Sequence, residues 1–422
     1  MDIKLIPSKL HGCIEASSSK AYTQRLLIAA ALCDKETVIH CNCLPEEIKV
    51  MASCLNVLGA NITFEEGKIT VRPIQEPNDC VELDCGESSL TLRFLLPVAA
   101  AMGLNTKFTA SCQPVSRPIV PLRNEMQSYG VTFTPPWKYP IEISGRLQPG
   151  KFKLSGAMSA QYVTGLLFAL PLLDGESQID LSGIDGFRNY IDMTVCIMRK
   201  FGISVEEKDE LIIVKGNQKY VSPEEITAEG DWISSAYLLT AGAFSDGVSI
   251  KGLDSDSFQN EKGIIDILKR MGADVCIEQN KVTVKKGKLK GVQIDARALY
   301  DIIPAISVAA AYCESGITVF SDIMQRRIKG KDATAVFSEC LLNIGSVSAQ
   351  TDDGLIVWSE ESIVGGEVLS YDDFRIVMAM AVMATNSNGE ITVKNADCLN
   401  TANPEFLKNY KKLGGKFDVI NN

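Results

Sequence analysis

Residues 17–40 read SSSKAYTQRLLIAAALCDKETVIH. Three serines and Lys20 open an apolar run of Ala, Leu and Ile; a polar turn and an alternating, strand-like segment at 36–40 follow it. Serines and a lysine at the start of a buried helix favour an anion, because the first N–H groups of a helix lack partners and its dipole is positive there. The same pattern returns from Ser89 (SLTLRFLLPVAAAMGLNTKFTA), Ser159 (SAQYVTGLLFALPLLDGESQIDL), Asp231 (DWISSAYLLTAGAFSDGVSIKG), Asp301 (DIIPAISVAAAYCESGITVF) and Asp372 (DDFRIVMAMAVMATNSNGEITV). Counted from Lys20, the steps run from 69 to 72 residues. A near-constant period along a whole chain fixes its architecture.

A second helix is expected after each copy, over 45–58, 119–129, 190–201, 260–271, 335–344 and 404–413. Most of these carry apolar residues at three- and four-residue spacing with charges between, as in NEKGIIDILKRMGADV, and so should be half exposed. Segments such as NITFEEGKITVRP and DVCIEQNKVTVKKG read as hairpins. The unit is therefore about β-α-β-α-β-β. Six helices apolar on every side exceed what one core holds, so an α/β chain of two domains with three units each follows. Residues 17–20 and 228–231 both precede a first helix, three periods apart. The chain should cross there, which groups 1–18 with 229–422 and leaves 19–228 as the second domain.

The composition narrows the function classes. The 422 residues are 46% hydrophobic, enough for two cores, and no apolar run has the length of a membrane span or the form of a signal peptide. Thirteen scattered cysteines without CxxC pairs read as reduced thiols of a cytoplasmic protein. Two histidines, His11 and His40, argue against a His-based zinc site or a Ser–His–Asp triad. A net charge of −10 argues against a nucleic-acid surface. An anion site would have to be a local basic cluster.

Such a cluster is written at the helix starts: Lys20 and Arg25; Glu87, Ser88, Ser89 and Arg93; Arg117; Ser159 and Gln161; Asp231; Asp301; Lys329 and Asp332; Asp372, Asp373 and Arg375. An isolated Ser or Asp in such a place is usually an N-cap, and an isolated Lys or Arg a surface ion pair. Cations recurring beside apolar helices need anionic partners. They suggest a cleft for a small phosphorylated or carboxylated molecule.

These stretches resemble the enolpyruvyl transferases along the full length. SSSKAYTQR matches that family's GSKS-type start, LDCGESSLTLRFLLP its LxCG(N/E)SGxxxR segment, SRPIVPLRNEM its ERP segment and GAMSAQYVTGLLFALPLL its SSQ segment. GFRNYID matches SKPYID, EGDWISSAYLL matches EGD, RRIKGKD matches RxKExDR and YDDFR matches DDHR. The shikimate branch fits better than the UDP-sugar branch, whose Lys-Asn start and Cys-bearing loop are not seen. The resemblance implies an inside-out α/β barrel in each domain, a ligand cleft between them, a monomer, and no metal or organic cofactor. It implies transfer of the enolpyruvyl group of phosphoenolpyruvate to the 5-hydroxyl of shikimate 3-phosphate with release of phosphate, on the route to chorismate and the aromatic amino acids. By position, Lys20 would contact both substrates and Arg25 the shikimate carboxylate. Arg117, Gln161 and Arg375 would meet phosphoenolpyruvate, and Ser159, with Tyr190 beside it, the shikimate phosphate. Ser89, where the backbone would approach phosphoenolpyruvate, and Arg93 would also bind substrate. Asp301 would bind the ring hydroxyls and carry the proton transfer, next to Lys329.

Several positions depart from the family pattern. Ala21 and Ala160 replace serines, Ser89 a glycine, Phe187 a serine, Gly330 a glutamate, Ala333 an arginine, Phe374 a histidine and Thr401 a lysine. Two readings follow: an enolpyruvyl transferase of the shikimate pathway, and a diverged relative that binds or transforms another anionic small molecule.

Overall fold

A helix without a polar face is stable only where every side is covered, and the structure puts six of them in such places. It is a computed structural model and describes residues 1–111, 119–134, 139–154, 159–183, 188–323 and 332–420. The first helices of the repeats are Lys20–Ala31 (α1), Ser89–Ala101 (α3), Ser159–Ala169 (α5), Trp232–Gly242 (α7), Ile303–Ala311 (α9) and Phe374–Ala384 (α11). Every residue of α9 is buried. The second helices are Glu46–Val57 (α2), Val120–Ser128 (α4), Arg188–Lys200 (α6), Ile264–Met271 (α8) and Ala333–Asn343 (α10), with Asp397–Ala402 (α12) and Phe406–Lys412 (α13) in the last repeat. In α8, IIDILKRM buries Ile264, Ile265, Ile267, Leu268 and Met271 and turns its charges outward. It ends at Gly272, whose φ of 108° lets its N–H return to the Leu268 carbonyl at 3.1 Å.

The chain forms two compact units. The inserted unit is Lys20–Ala228; the split unit joins Met1–Ser19 to Glu229–Asn422. Each contains three four-stranded sheets of one plan: a parallel pair, then two antiparallel neighbours. In the inserted unit the first sheet runs Glu225–Thr227, Thr37–His40, Lys68–Arg72, Asn61–Glu65. The last strand of the unit thus closes on its first, with Ile226 beside Ile39. In the split unit the chain's own beginning closes the ring. His11–Glu15 lies parallel to Gly247–Lys251, and Asp2–Ile6 fits antiparallel between Ile391–Lys394 and Lys416–Ile420. Ile3 and Leu5 of that strand are fully buried, with the alternation of a sheet packed on one face.

Close approach of the helices has a local cause in the inserted unit. Pro97 inside α3 has no N–H to give the Arg93 carbonyl four residues back. Gly165 brings α5 against that carbonyl; a Cβ there would stand 2.4 Å from the oxygen. In the split unit α7, α9 and α11 pack on one another. The two stretches where the chain passes between units run side by side. Ser19 N–H donates to the Glu229 carbonyl and Asp231 N–H to the Ser17 carbonyl, both at 2.7 Å.

Candidate functional site

Each unit carries a group of polar residues where its first helices begin. In the inserted unit the group centres on Arg25, in the second turn of α1 and 3% exposed. Its Nε donates to Thr194 Oγ1 at 2.9 Å and its Nη1 to the Ala21 carbonyl at 2.7 Å. Its Nη2 reaches Thr164 Oγ1 at 3.3 Å and the Tyr190 carbonyl at 3.4 Å. The rings of Phe94 and Tyr190 stand 5.2 and 5.8 Å from the guanidinium carbon. Helices α1, α3, α5 and α6 therefore meet at this one side chain. Every acceptor is neutral, and among the described residues no carboxylate pairs with it. Burial brings its pKa down to about 10, with Tyr190 acting in the other direction. A buried guanidinium without a counterion is a site for an anion.

The remaining candidates of this unit lie nearby in the fold. Arg93, buried in α3, donates through Nη1 to Gln161 Oε1 on α5 and lies 5.5 Å from the Tyr162 ring centre. Lys20 opens α1 and pairs with Glu47 at 3.2 Å. Ser89 is the buried first residue of α3, which Ser88 caps by accepting from Thr91 N–H. Ser159 is the first residue of α5.

In the split unit the group centres on Arg375, 18% exposed at the start of α11. Asp373 caps that helix by accepting from Arg375 N–H at 2.9 Å and grips the side chain, Oδ1 on Nε at 2.8 Å and Oδ2 on Nη2 at 2.6 Å. Asp301 takes Nη1 at 2.7 Å. The Tyr300 ring lies 4.3 Å from the guanidinium carbon, and the Phe374 ring 5.9 Å. Burial opposes the charge, but Asp373 and Asp301 outweigh it and hold the guanidinium well above its ordinary pKa. Asp231, Asp332 and Asp373 cap α7, α10 and α11, as isolated acids at helix starts commonly do. The Asp301 carboxylate turns to Arg375, while Tyr237 of α7 donates to its carbonyl at 2.9 Å.

The structure thus brings together Arg25 with Tyr190, Arg93 with Gln161, and Asp301 with Arg375. Arg117, Phe187, Lys329 and Gly330 lie outside the described residues. Of the other altered positions, Ala21 serves Arg25 through its carbonyl, Ala160 is buried, Ala333 begins α10 and Thr401 sits exposed on α12. Sequence reasoning missed Thr164, Thr194, Tyr300 and Glu47. Thr164 and Thr194 stand three and four residues after Gln161 and Tyr190, one helical turn along the same face, and that spacing was the available signal.

Two units of three repeats, each built around buried helices, have the fold of the enolpyruvyl transferases. The EPSP synthase of Acinetobacter baumannii matches with a TM-score of 0.87 at 22% identity over 99% of this chain and all of that one. The enolpyruvyl transferase NikO of Streptomyces tendae matches at 0.81 and 18% identity over 99% and 98%. The sequence is more specific than the fold. The profile of the EPSP synthase (3-phosphoshikimate 1-carboxyvinyltransferase) family matches residues 5–410. Proteins named 3-phosphoshikimate 1-carboxyvinyltransferase from Clostridium novyi and Clostridium kluyveri are 33% and 32% identical, each over 99% of this chain and 98% of theirs. The chain belongs to the EPSP synthase family. Among its described residues no helix is long and apolar enough to cross a membrane.

Proposed function

We propose that this protein transfers the enolpyruvyl group of phosphoenolpyruvate to the 5-hydroxyl of shikimate 3-phosphate and releases phosphate. Family membership supports the reaction class, and the observation that carries the reading is Arg25. A buried cation with only neutral acceptors gains most from a carboxylate, and shikimate 3-phosphate brings one. In this reading Arg25 receives that carboxylate, with Thr164, Thr194 and Tyr190 holding the guanidinium in place. Arg375 receives the carboxylate of phosphoenolpyruvate, and Lys20, Ser89, Arg93, Arg117, Ser159 and Gln161 complete the contacts to the two substrates. A hydroxyl joins the enolpyruvyl carbon only as it gives up its proton, and Asp301 is the carboxylate assigned to that transfer, with Lys329 assigned next to it by the resemblance. The ion pair to Arg375 and the Tyr237 hydrogen bond fix where the Asp301 carboxylate stands before substrate arrives.

The test is phosphate release by purified protein given both substrates, with Asp301→Ala as control. Turnover that the control abolishes supports the assignment. A folded wild-type protein that releases no phosphate refutes it, and the substitutions at Gly330, Ala333 and Thr401 would then mark a relative with another anionic ligand.

A further inference from the structure

Arg93 and Gln161 face each other beside the tight contact of α3 with α5. Gly165 lies against the Arg93 carbonyl, and Gln161 stands one turn earlier on the same face of α5. The Arg93 side chain is 1% exposed, whereas Gln161 is partly exposed. Arg93 Nη1 donates to Gln161 Oε1. The buried Tyr162 ring, 5.5 Å from the guanidinium carbon, packs against the fork.

A guanidinium has only donors, while an amide has an acceptor end and a donor end. Their contact therefore admits one orientation of the Gln161 amide, with the carbonyl on Arg93 and the NH2 turned away from it. The flipped amide would set donors against donors beside a buried charge. Among the described residues it is the carbonyl end of Gln161 that is engaged. Bonded groups in a low-dielectric interior polarise one another, so a carbonyl that accepts from a cation leaves its own NH2 a stronger donor. The charge thus lies inside the protein and the donor it sharpens lies further out.

We propose that Arg93 is a positioning residue: it fixes the Gln161 amide with the NH2 presented to the phosphoenolpyruvate anion, and its charge acts on that anion through the amide. The proposal rests on the transferase reading and refines it, giving the substrate contact to Gln161 and placing Arg93 behind it.

A double-mutant cycle separates this role from a direct contact and from mere packing. Wild type, Gln161→Ala, Arg93→Met and the double variant are compared by KM for phosphoenolpyruvate. Calorimetric titration of phosphoenolpyruvate in the presence of shikimate 3-phosphate gives the same comparison without turnover. Each single variant should weaken phosphoenolpyruvate about ten- to a hundredfold, the range of one hydrogen bond to a charged group. The double variant should be within about twofold of the weaker single variant, because the second change removes what the first has already disabled. Losses that multiply in the double variant overturn the proposal, since Arg93 then acts independently of Gln161. A Gln161→Ala protein within twofold of wild type overturns it as well. Gln161→Glu decides the matter even if Arg93→Met does not fold. A carboxylate facing the guanidinium should raise the melting temperature, yet it presents no donor, so phosphoenolpyruvate binding should be lost. A Gln161→Glu protein that melts no higher than wild type, or that keeps its phosphoenolpyruvate affinity, refutes the assignment. Should wild type bind phosphoenolpyruvate without releasing phosphate, with the losses in binding non-additive, the transferase reading fails and the Arg93 assignment stands. Should wild type bind no phosphoenolpyruvate, both fail.

Discussion

Replacing Arg25 by methionine should stabilise the empty protein while removing its affinity for shikimate 3-phosphate. Burial holds the guanidinium pKa at about 10, two to three powers of ten below that of a solvated arginine. At about 1.4 kcal/mol for each power of ten, the folded protein carries a cost of about 3 kcal/mol for keeping this charge. Methionine fills a similar volume without the charge, and such exchanges are commonly neutral or stabilising. The hydrogen-bond partners are not orphaned by it. Thr194 Oγ1 donates to the Tyr190 carbonyl and Thr164 Oγ1 to the Ala160 carbonyl, each at 2.9 Å, and the two hydroxyls lie 3.1 Å apart. Allowing about 1 kcal/mol for the lost bonds leaves a net gain of about 1–2 kcal/mol, or about 2–8 °C in Tm for a unit of this size. The folded-state pKa lies below the unfolded one, so the cost is fully present below about pH 10. It fades as pH rises above that value, where the folded protein gives up the proton first. The assay is a thermal melt of both proteins at neutral pH, alone and with shikimate 3-phosphate. Wild type should melt higher with the ligand, and Arg25→Met should melt higher without it and respond to it little. An Arg25→Met protein that melts several degrees below wild type, or that shikimate 3-phosphate stabilises as it does wild type, refutes the argument.

Three further outcomes follow from the same geometry. Asp373→Ala removes the cap of α11 and one of the carboxylates balancing Arg375; equilibrium urea unfolding should show a loss of about 2–4 kcal/mol, and a loss under 1 kcal/mol would mean that Asp301 alone suffices. Gly165→Ala drives a methyl group against the Arg93 carbonyl, so it should cost about 1–3 kcal/mol in the same measurement. Because α5 also carries Gln161 and Thr164, affinity for shikimate 3-phosphate should fall with it; unchanged stability would show that α3 and α5 part freely. Tyr237→Phe deletes the hydrogen bond to the Asp301 carbonyl; the stability loss should be about 1 kcal/mol, and a kcat equal to wild type would deny Tyr237 any part in holding Asp301.

The repeat was legible because a helix with no polar face has one kind of environment open to it, and the chain writes such a helix six times at nearly one spacing. The hairpins were legible as well: in NITFEEGKITVRP, Ile62, Ile69 and Val71 alternate inward, as they do in the sheet. What local patterns could not give was how each ring of sheets closes. His11–Glu15 pairs with Gly247–Lys251, a partner more than two hundred residues away, and no turn specifies a parallel pairing of that kind.

The same limit applies to the site. Arg25 and Arg375 look alike in sequence, each a cation near the start of an apolar helix, and the structure gives them opposite surroundings. Arg25 is ringed by hydroxyls and carbonyls from α1, α5 and α6, so a ligand carboxylate would be its first counterion among the described residues. Arg375 already has two, one contributed by Asp373 within its own turn and one by Asp301, seventy-four residues earlier. An anion reaching Arg25 relieves a cost that folding left in place. One reaching Arg375 must share Nη1 with Asp301 or displace it, and a displaced Asp301 is a carboxylate freed for the substrate hydroxyl. On the proposed function, then, affinity would be concentrated in the inserted unit. In the split unit the strength of anion binding would be tied to where the proton-transfer carboxylate stands.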